Sequence, residues 1–237
     1  MSNRQNRAHP HFVSTDPTGQ FLVVPDLGAD LIRIFHVNAL NGNLTTCPAV
    51  ETPLGDGPRH SAWWTDNGGG ENTTVLYVIN ELSRSLTVWK AKYSGSGCLS
   101  FGEMQTISTI AVGKATQDSH PPSAGEVHIV DNFLYASNRN DQAFGTHQDS
   151  LMIYTIHKTG KLSLLEATNA HAWYPRTFSI NKSGDLVAVG GQASSTVSII
   201  SRDTSTGRLG KLLASLQVGE LGTHGGWDGL SSVVWVD

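Results

Sequence analysis

The sequence predicts an all-β protein, a propeller of four-stranded antiparallel blades, and three observations carry that prediction. The chain of 237 residues contains short, β-branched, often alternating runs: FLVV (21–24), LIRIFHV (31–37), TVLYVI (74–79), SLTVWKA (85–91), LMIYTI (151–156), LVAVGG (186–191) and TVSIIS (196–201). Such runs suit a pleated, half-buried surface, and none carries the 3.6-residue period of an amphipathic helix. Between them lie D-P-T-G, N-A-L-N-G-N, N-K-S-G and D-T-S-T-G, which favour tight turns. The 25 glycines against 15% charged residues fit the same class. Finally, a strand–turn–strand–loop–strand–turn–strand pattern recurs every ~50 residues, the period of propeller blades.

The units align in order. The first is HFVSTDPTGQFLVVPDLGADLIRIFHVNALNGNL (11–44) and the second PRHSAWWTDNGGGENTTVLYVINELSRSLTVWKAKYSGSGCL (58–99). The third is GEVHIVDNFLYASNRNDQAFGTHQDSLMIYTIHKTGKL (125–162) and the fourth PRTFSINKSGDLVAVGGQASSTVSIISRDTSTGRL (175–209). Expected blade limits within one domain over 1–237 are 9–55, 56–113, 123–172 and 173–219, followed by a closing strand, LSSVVWVD, at 230–237. A β-sandwich has a similar strand count but does not account for the repeat. The WD40 signature is missing, since the Trp227-Asp228 pair sits in a loop-like G-G-W-D-G.

Composition narrows the function classes. A formal charge of −4 gives no broad basic surface for nucleic acid. No run approaches the ~18 apolar residues of a membrane span. The polar start MSNRQNRAHP lacks the apolar region of a secretory leader, so the expected location is the cytoplasm. Cys47 and Cys98 then read as two reduced, semi-buried thiols. No G-x-S-x-G or H-E-x-x-H occurs, and no glycine-rich phosphate loop opens a helix. His9-x-His11 lacks the further ligands of a zinc site. Asn80, Glu81 and Asn138 hint at a calcium-type oxygen set, against which the interleaved arginines argue.

Equivalent points of successive repeats can meet around a propeller channel. His11 and Arg59 both start blades; Glu81 and Arg139 each follow an asparagine, Asn80 or Asn138, after a second strand. Arg176, in Y-P-R-T, is the fourth unit's counterpart of Arg59. Structural alternatives stay open: His11 as a blade-start histidine bonding backbone, Glu81 with Arg139 as an ion pair, Arg176 as a structural residue, and His9 and His60 as flanking groups. His128 reads as a satisfied strand histidine, and Trp63 and Trp64 as blade packing.

The phrases HPHFVSTDPTGQFLVVPDLGADLIRIF, GDGPRHSAWW, YVINELSRSLTVW and LYASNRNDQ resemble the seven-bladed propeller lactonase family. That family contains bacterial-type 6-phosphogluconolactonase and the fungal 3-carboxy-cis,cis-muconate lactonizing enzyme. The P-D-L-G-A-D phrase is more similar to the fungal members. The resemblance runs from about His9 to the end and implies catalytic roles for His11, Arg59, Glu81 and Arg139. Anion recognition is expected of Arg59, Arg139 and Arg176, with His9, His60, Asn80 and Asn138 as further substrate-binding candidates. It implies hydrolysis of a small anionic sugar lactone, without metal or organic cofactor. Muconate cycloisomerization and a non-catalytic binding module are the alternatives. Seven blades need roughly 350 residues, so the chain is expected to be an N-terminally shortened member. An opened sheet edge would make association with a second copy one remedy. An insertion near 66–72 is expected in an outward turn, away from Arg59 and Glu81.

Overall fold

The computed structural model describes residues 4–66, 73–93, 95, 97–110 and 121–236. The insertion expected near 66–72 therefore lies, apart from Asp66, outside the described residues. The described residues form four antiparallel four-stranded sheets, as the repeat predicts. The first comprises β1 (Ser14–Thr15), β2 (Phe21–Asp26), β3 (Leu31–Val37) and β4 (Leu44–Glu51), and the second β5 (Pro58–Thr65), β6 (Thr74–Asn80), β7 (Ser85–Tyr93) and β8 (Leu99–Ser108). The third holds β9 (Ser123–Val130), β10 (Phe133–Arg139), β11 (Ser150–Ile156) and β12 (Leu162–Asn169). The fourth holds β13 (Pro175–Ile180), β14 (Leu186–Gly191), β15 (Thr196–Arg202) and β16 (Leu209–Gln217). In each, neighbours in sequence are neighbours in space, so the chain meanders outward through every blade. No helix of the described residues is long and apolar enough to cross a membrane.

Local chemistry explains the turns. In D-P-T-G, the Asp16 carboxylate accepts bonds from the Thr18 and Phe21 amides at 3.1 and 2.8 Å, while Gly19 takes a φ of 71°. That positive φ favours glycine and closes the β1–β2 hairpin. The fully buried β6, TVLYVIN, is covered on both faces, so its apolar run is continuous instead of alternating.

The chain divides into two compact units. One takes residues 1–107 and 156–162, and the other 108–155 and 163–237. In the first unit, Val23, Ile32, Ile34, Leu76, Val78 and Trp89 form a core shared by its two blades. Trp63 packs against that core and Trp64 is buried, as blade packing requires. The 156–162 stretch is fastened there by Tyr77, whose hydroxyl donates to the Gly160 carbonyl at 2.7 Å. In the second unit, Tyr135, Leu151, Ile153, Phe178, Val187, Val189 and Ile200 make the core. His128 sits edge-on to Phe178 at 4.9 Å, and desolvation holds its pKa below the ordinary histidine value.

Two expectations are corrected. Cys47 and Cys98 are not free thiols; they form a disulfide with a Cα–Cα distance of 5.7 Å. Their sequence contexts are dissimilar, but β4 and the approach to β8 are the outermost parts of adjacent blades, which the shared core brings side by side. Residues 230–236, expected as a closing strand, have no regular structure. A strand needs a ladder partner, and among the described strands none pairs with this segment. It is held instead by Trp235, whose indole N–H donates to the Ser179 carbonyl at 2.9 Å.

Candidate functional site

The first unit gathers His11, His60, Arg59 and Glu81. P-D-L-G-A-D is the device that places them. Asp26, wholly buried, accepts the His9 amide at 2.7 Å through Oδ1 and the Arg33 Nε at 2.8 Å through Oδ2. The entering chain is thereby fixed beside β2, where the His11 amide donates to the Pro25 carbonyl at 3.0 Å. Asp30, held at a φ of 52°, accepts the Gly55 and Gly57 amides at 2.8 Å each. Gly57 in turn accepts the Glu81 amide at 2.8 Å. One carboxylate thus sets both the approach to Arg59 and the position of Glu81.

Arg59 sits where the β5–β6 register shifts, between Pro58 opposite Asn80 and His60 opposite Ile79. A bulge re-aims one side chain out of the alternation. Arg176 occupies the same place in its own blade, between Pro175 opposite Gly191 and Thr177 opposite Gly190. Arg59 is 1% exposed, and its Nε donates to Glu81 Oε2 at 3.0 Å. Next to it in sequence, the half-buried His60 meets His11, with Nε2 of His60 and Nδ1 of His11 3.1 Å apart. Phe12 stacks on the His60 ring at 4.7 Å and 20°. The ring of His9 faces Asn6 Oδ1 at 3.3 Å. Asn80 is buried and spends its amide N–H groups on Ser85 and Thr87, both at 2.9 Å.

A residue that the repeat did not point to completes this group. Arg4 Nη2 lies 2.9 Å from Glu81 Oε1, so each carboxylate oxygen of Glu81 faces a different guanidinium. Arg4 belongs to the polar lead-in, outside any strand, and periodicity gave it no mark.

In the second unit, Arg139 ends β10, 3% exposed, with Nη2 donating to the Ala124 carbonyl at 2.7 Å. Its guanidinium lies over the Tyr174 ring at 5.2 Å. Asn138 is fully buried and donates to Ser150 Oγ at 3.0 Å and the Thr109 carbonyl at 2.5 Å. Asp149 plays the part that Asp30 plays in the first unit. It accepts the amides of Asn140, Gln142 and Tyr174 at 2.9, 2.8 and 2.7 Å, fixing the turn before Pro175 and Arg176. Burial pushes its pKa up to about 6, against the bonds that favour its charged form. Asp141 is raised by burial too. Trp173 stacks on His147 at 3.7 Å and meets His224 at 5.2 Å, tying three loops together. Among the described residues, no group of three or more His, Cys, Asp or Glu side chains is placed to hold a metal ion.

Chemically, the first unit offers a hydrogen-bonded imidazole pair and, starting from the residue before His60, a carboxylate held by two guanidiniums. That set can move a proton near neutral pH and stabilise negative charge. The family model described as "Lactonase, 7-bladed beta-propeller" matches residues 1–224. A relative from Arthroderma benhamiae named "Probable 6-phosphogluconolactonase" is 35% identical over 212 residues, covering 88% of this chain and 51% of its own. The 6-phosphogluconolactonase of Formosa agariphila is 31% identical over 224 residues, covering 92% and 58% respectively. Among solved structures, the periplasmic gluconolactonase of Pseudomonas aeruginosa superposes with a TM-score of 0.75 at 28% identity, covering 93% of this chain and 57% of that one. The chain thus spans little more than half the length of these relatives. With its blades, its motifs and a family match over nearly all of its residues, the chain belongs to the seven-bladed β-propeller lactonase family.

Proposed function

We propose that the protein hydrolyses a small anionic sugar lactone of the 6-phosphogluconolactone type. The observation that carries the reading is the His11–His60 pair, 3.1 Å apart, with His60 next in sequence to Arg59, which is ion-paired to Glu81. The relatives' names, 6-phosphogluconolactonase and gluconolactonase, favour ring opening by water over muconate cycloisomerization.

In this reading His11 is the general base, and its neutral imidazole takes a proton from water as the oxygen attacks the lactone carbonyl. The carbonyl becomes an oxyanion, the ring C–O bond breaks as the carboxyl forms, and the proton passes to the departing ring oxygen. His60 holds the His11 tautomer through their shared bond, while Phe12 fixes the His60 ring. Arg59 supplies positive charge beside the pair. In the second unit Arg139 and Arg176 offer the same chemistry by themselves, since a guanidinium fork matches phosphate or carboxylate. Asn80, bonded to Ser85 and Thr87, and Asn138, bonded to Ser150 and the Thr109 carbonyl, brace the strand ends that carry Glu81 and Arg139.

The test is base-uptake titration of 6-phosphogluconolactone hydrolysis by the purified chain. The His11→Asn variant is expected to lose roughly 10²-fold or more of kcat, the ordinary worth of a general base. A wild-type rate equal to spontaneous hydrolysis would leave a non-catalytic module, and an unchanged rate in His11→Asn would remove the base assignment.

A further inference from the structure

We propose that Arg4 is a positioning residue for Glu81, holding its carboxylate ionised and fixed between two guanidiniums so that proton transfer belongs to the His11–His60 pair; the inference rests on the hydrolytic reading above. Each Glu81 oxygen has its own cation, Oε1 with Arg4 at 2.9 Å and Oε2 with Arg59 at 3.0 Å. A carboxylate gripped at both oxygens has neither the freedom nor the basicity to collect a proton from water. The trio carries one net positive charge, which favours a developing oxyanion next to it.

The lead-in is built to deliver Arg4. Gln5 donates to the Leu27 carbonyl at 3.2 Å, and the His9 amide is captured by Asp26. Gly28 allows the segment to lie flat, because a Cβ there would meet the Arg7 carbonyl oxygen at 1.9 Å and the His9 ring at 2.5 Å. The Arg4 side chain is 39% exposed at its end of the contact, yet its Nε is buried and makes no hydrogen bond. Such a donor is costly unless the rest of the guanidinium is well engaged. The other ionisable groups on the lead-in and the adjoining loops are Arg7, His9, Arg84 in the Glu81 turn, Asp30, bonded to the Gly55 and Gly57 amides, and Asp56, bonded to Ser83.

The experiment compares wild type, Arg4→Ala, Arg4→Lys and Gly28→Ala in two readouts. The first is kcat and KM for 6-phosphogluconolactone across pH 5 to 8. Arg4→Ala is expected to lose about tenfold or more in kcat with a smaller change in KM, as misorientation near a reacting centre does. Its acid limb should move to higher pH, because a Glu81 with one guanidinium protonates more readily. Arg4→Lys should recover part of the loss, and Gly28→Ala, which displaces the segment without touching Arg4, should mimic Arg4→Ala. The second readout needs no turnover: the Glu81 carboxyl band in infrared difference spectra, identified by its loss in Glu81→Gln, is titrated with and without Arg4. An unmoved titration in Arg4→Ala overturns the proposal, as does a loss confined to KM. Absent lactonase activity in wild type would refute the hydrolytic reading, and the carboxyl titration would still decide the role of Arg4.

Discussion

At the scale of single residues, two buried carboxylates act as loop organisers, and their consequences differ. Asp30 accepts the Gly55 and Gly57 amides, and removing it leaves the buried Gly57 donor without this partner, while exposed Gly55 can turn to water. Asp30→Ala is expected to lower stability by about 1–3 kcal/mol for the one buried orphaned donor and, in the hydrolytic reading, to lower kcat by loosening Arg59 and Glu81. Urea unfolding and steady-state kinetics check both. Asp149 carries a pH signature instead. Its pKa is raised from 3.8 to about 6 by burial. Below about pH 4 the carboxyl is protonated in folded and unfolded chains alike, and it contributes nothing to pH dependence. Between about 4 and 6 the unfolded chain ionises first while the folded chain keeps its proton. The unfolded state then binds fewer protons, so this group's contribution to stability falls as pH rises and levels off above about 6. Asp149→Asn should be less stable overall, because its amide nitrogen cannot accept from the amides that a carboxylate oxygen faces. Its unfolding free energy should nonetheless decline less between pH 4 and 6 than that of wild type. Identical slopes would mean that Asp149 ionises at its ordinary pH.

At the scale of elements, the Cys47–Cys98 disulfide joins two blades at their outer strands and closes a loop of 51 residues. In the chain-entropy account a loop of that length is worth about 4 kcal/mol. Cys47→Ser with Cys98→Ser should therefore lower the urea midpoint of the first unit, and a reductant should shift wild type toward the double variant. A reductant that leaves wild type unmoved while the double variant is weakened would assign the loss to packing of the sulfurs. The elements also show what a linear reading can reach. FLVV, TVLYVI and LMIYTI declare themselves because a strand's period and propensity are local properties. Arg59 and Glu81 were singled out because the repeat puts Arg59 at the point that matches His11, and Glu81 at the point that matches Arg139, in successive blades. The disulfide was misread because its partners meet only through the packing of one blade on another. Arg4 was passed over because it precedes the repeat and gains its meaning from contact with Glu81. LSSVVWVD has the composition of a strand, but composition supplies no ladder partner.

At the scale of the whole molecule, the outermost strand of the fourth blade is expected to govern how the protein behaves in solution. β16 pairs only with β15 among the described strands, and Leu212, Leu213 and Leu216 are 41%, 56% and 67% exposed. Val218 and Leu221, just beyond it, are exposed as well. Propellers ordinarily leave only short, protected edges by setting blade against blade, and proteins blunt an open edge with charge or proline. Here Lys211 is the one charged residue in LGKLLASLQ, so the edge is long, apolar and thinly guarded. The protein is therefore expected to associate as concentration rises, and to do so more at high salt, where apolar attraction persists and charge repulsion is screened. Leu216→Lys places a cation in the middle of the exposed run. It should reduce the concentration dependence of light scattering while changing unfolding stability by no more than about 0.5 kcal/mol, the usual range for an exposed site. Arg208→Glu, at the far end of the strand and engaged with Glu166 at 3.0 Å, alters charge without touching the apolar run. It should leave association unchanged. If Leu216→Lys scatters as wild type does, β16 is not the seat of the association.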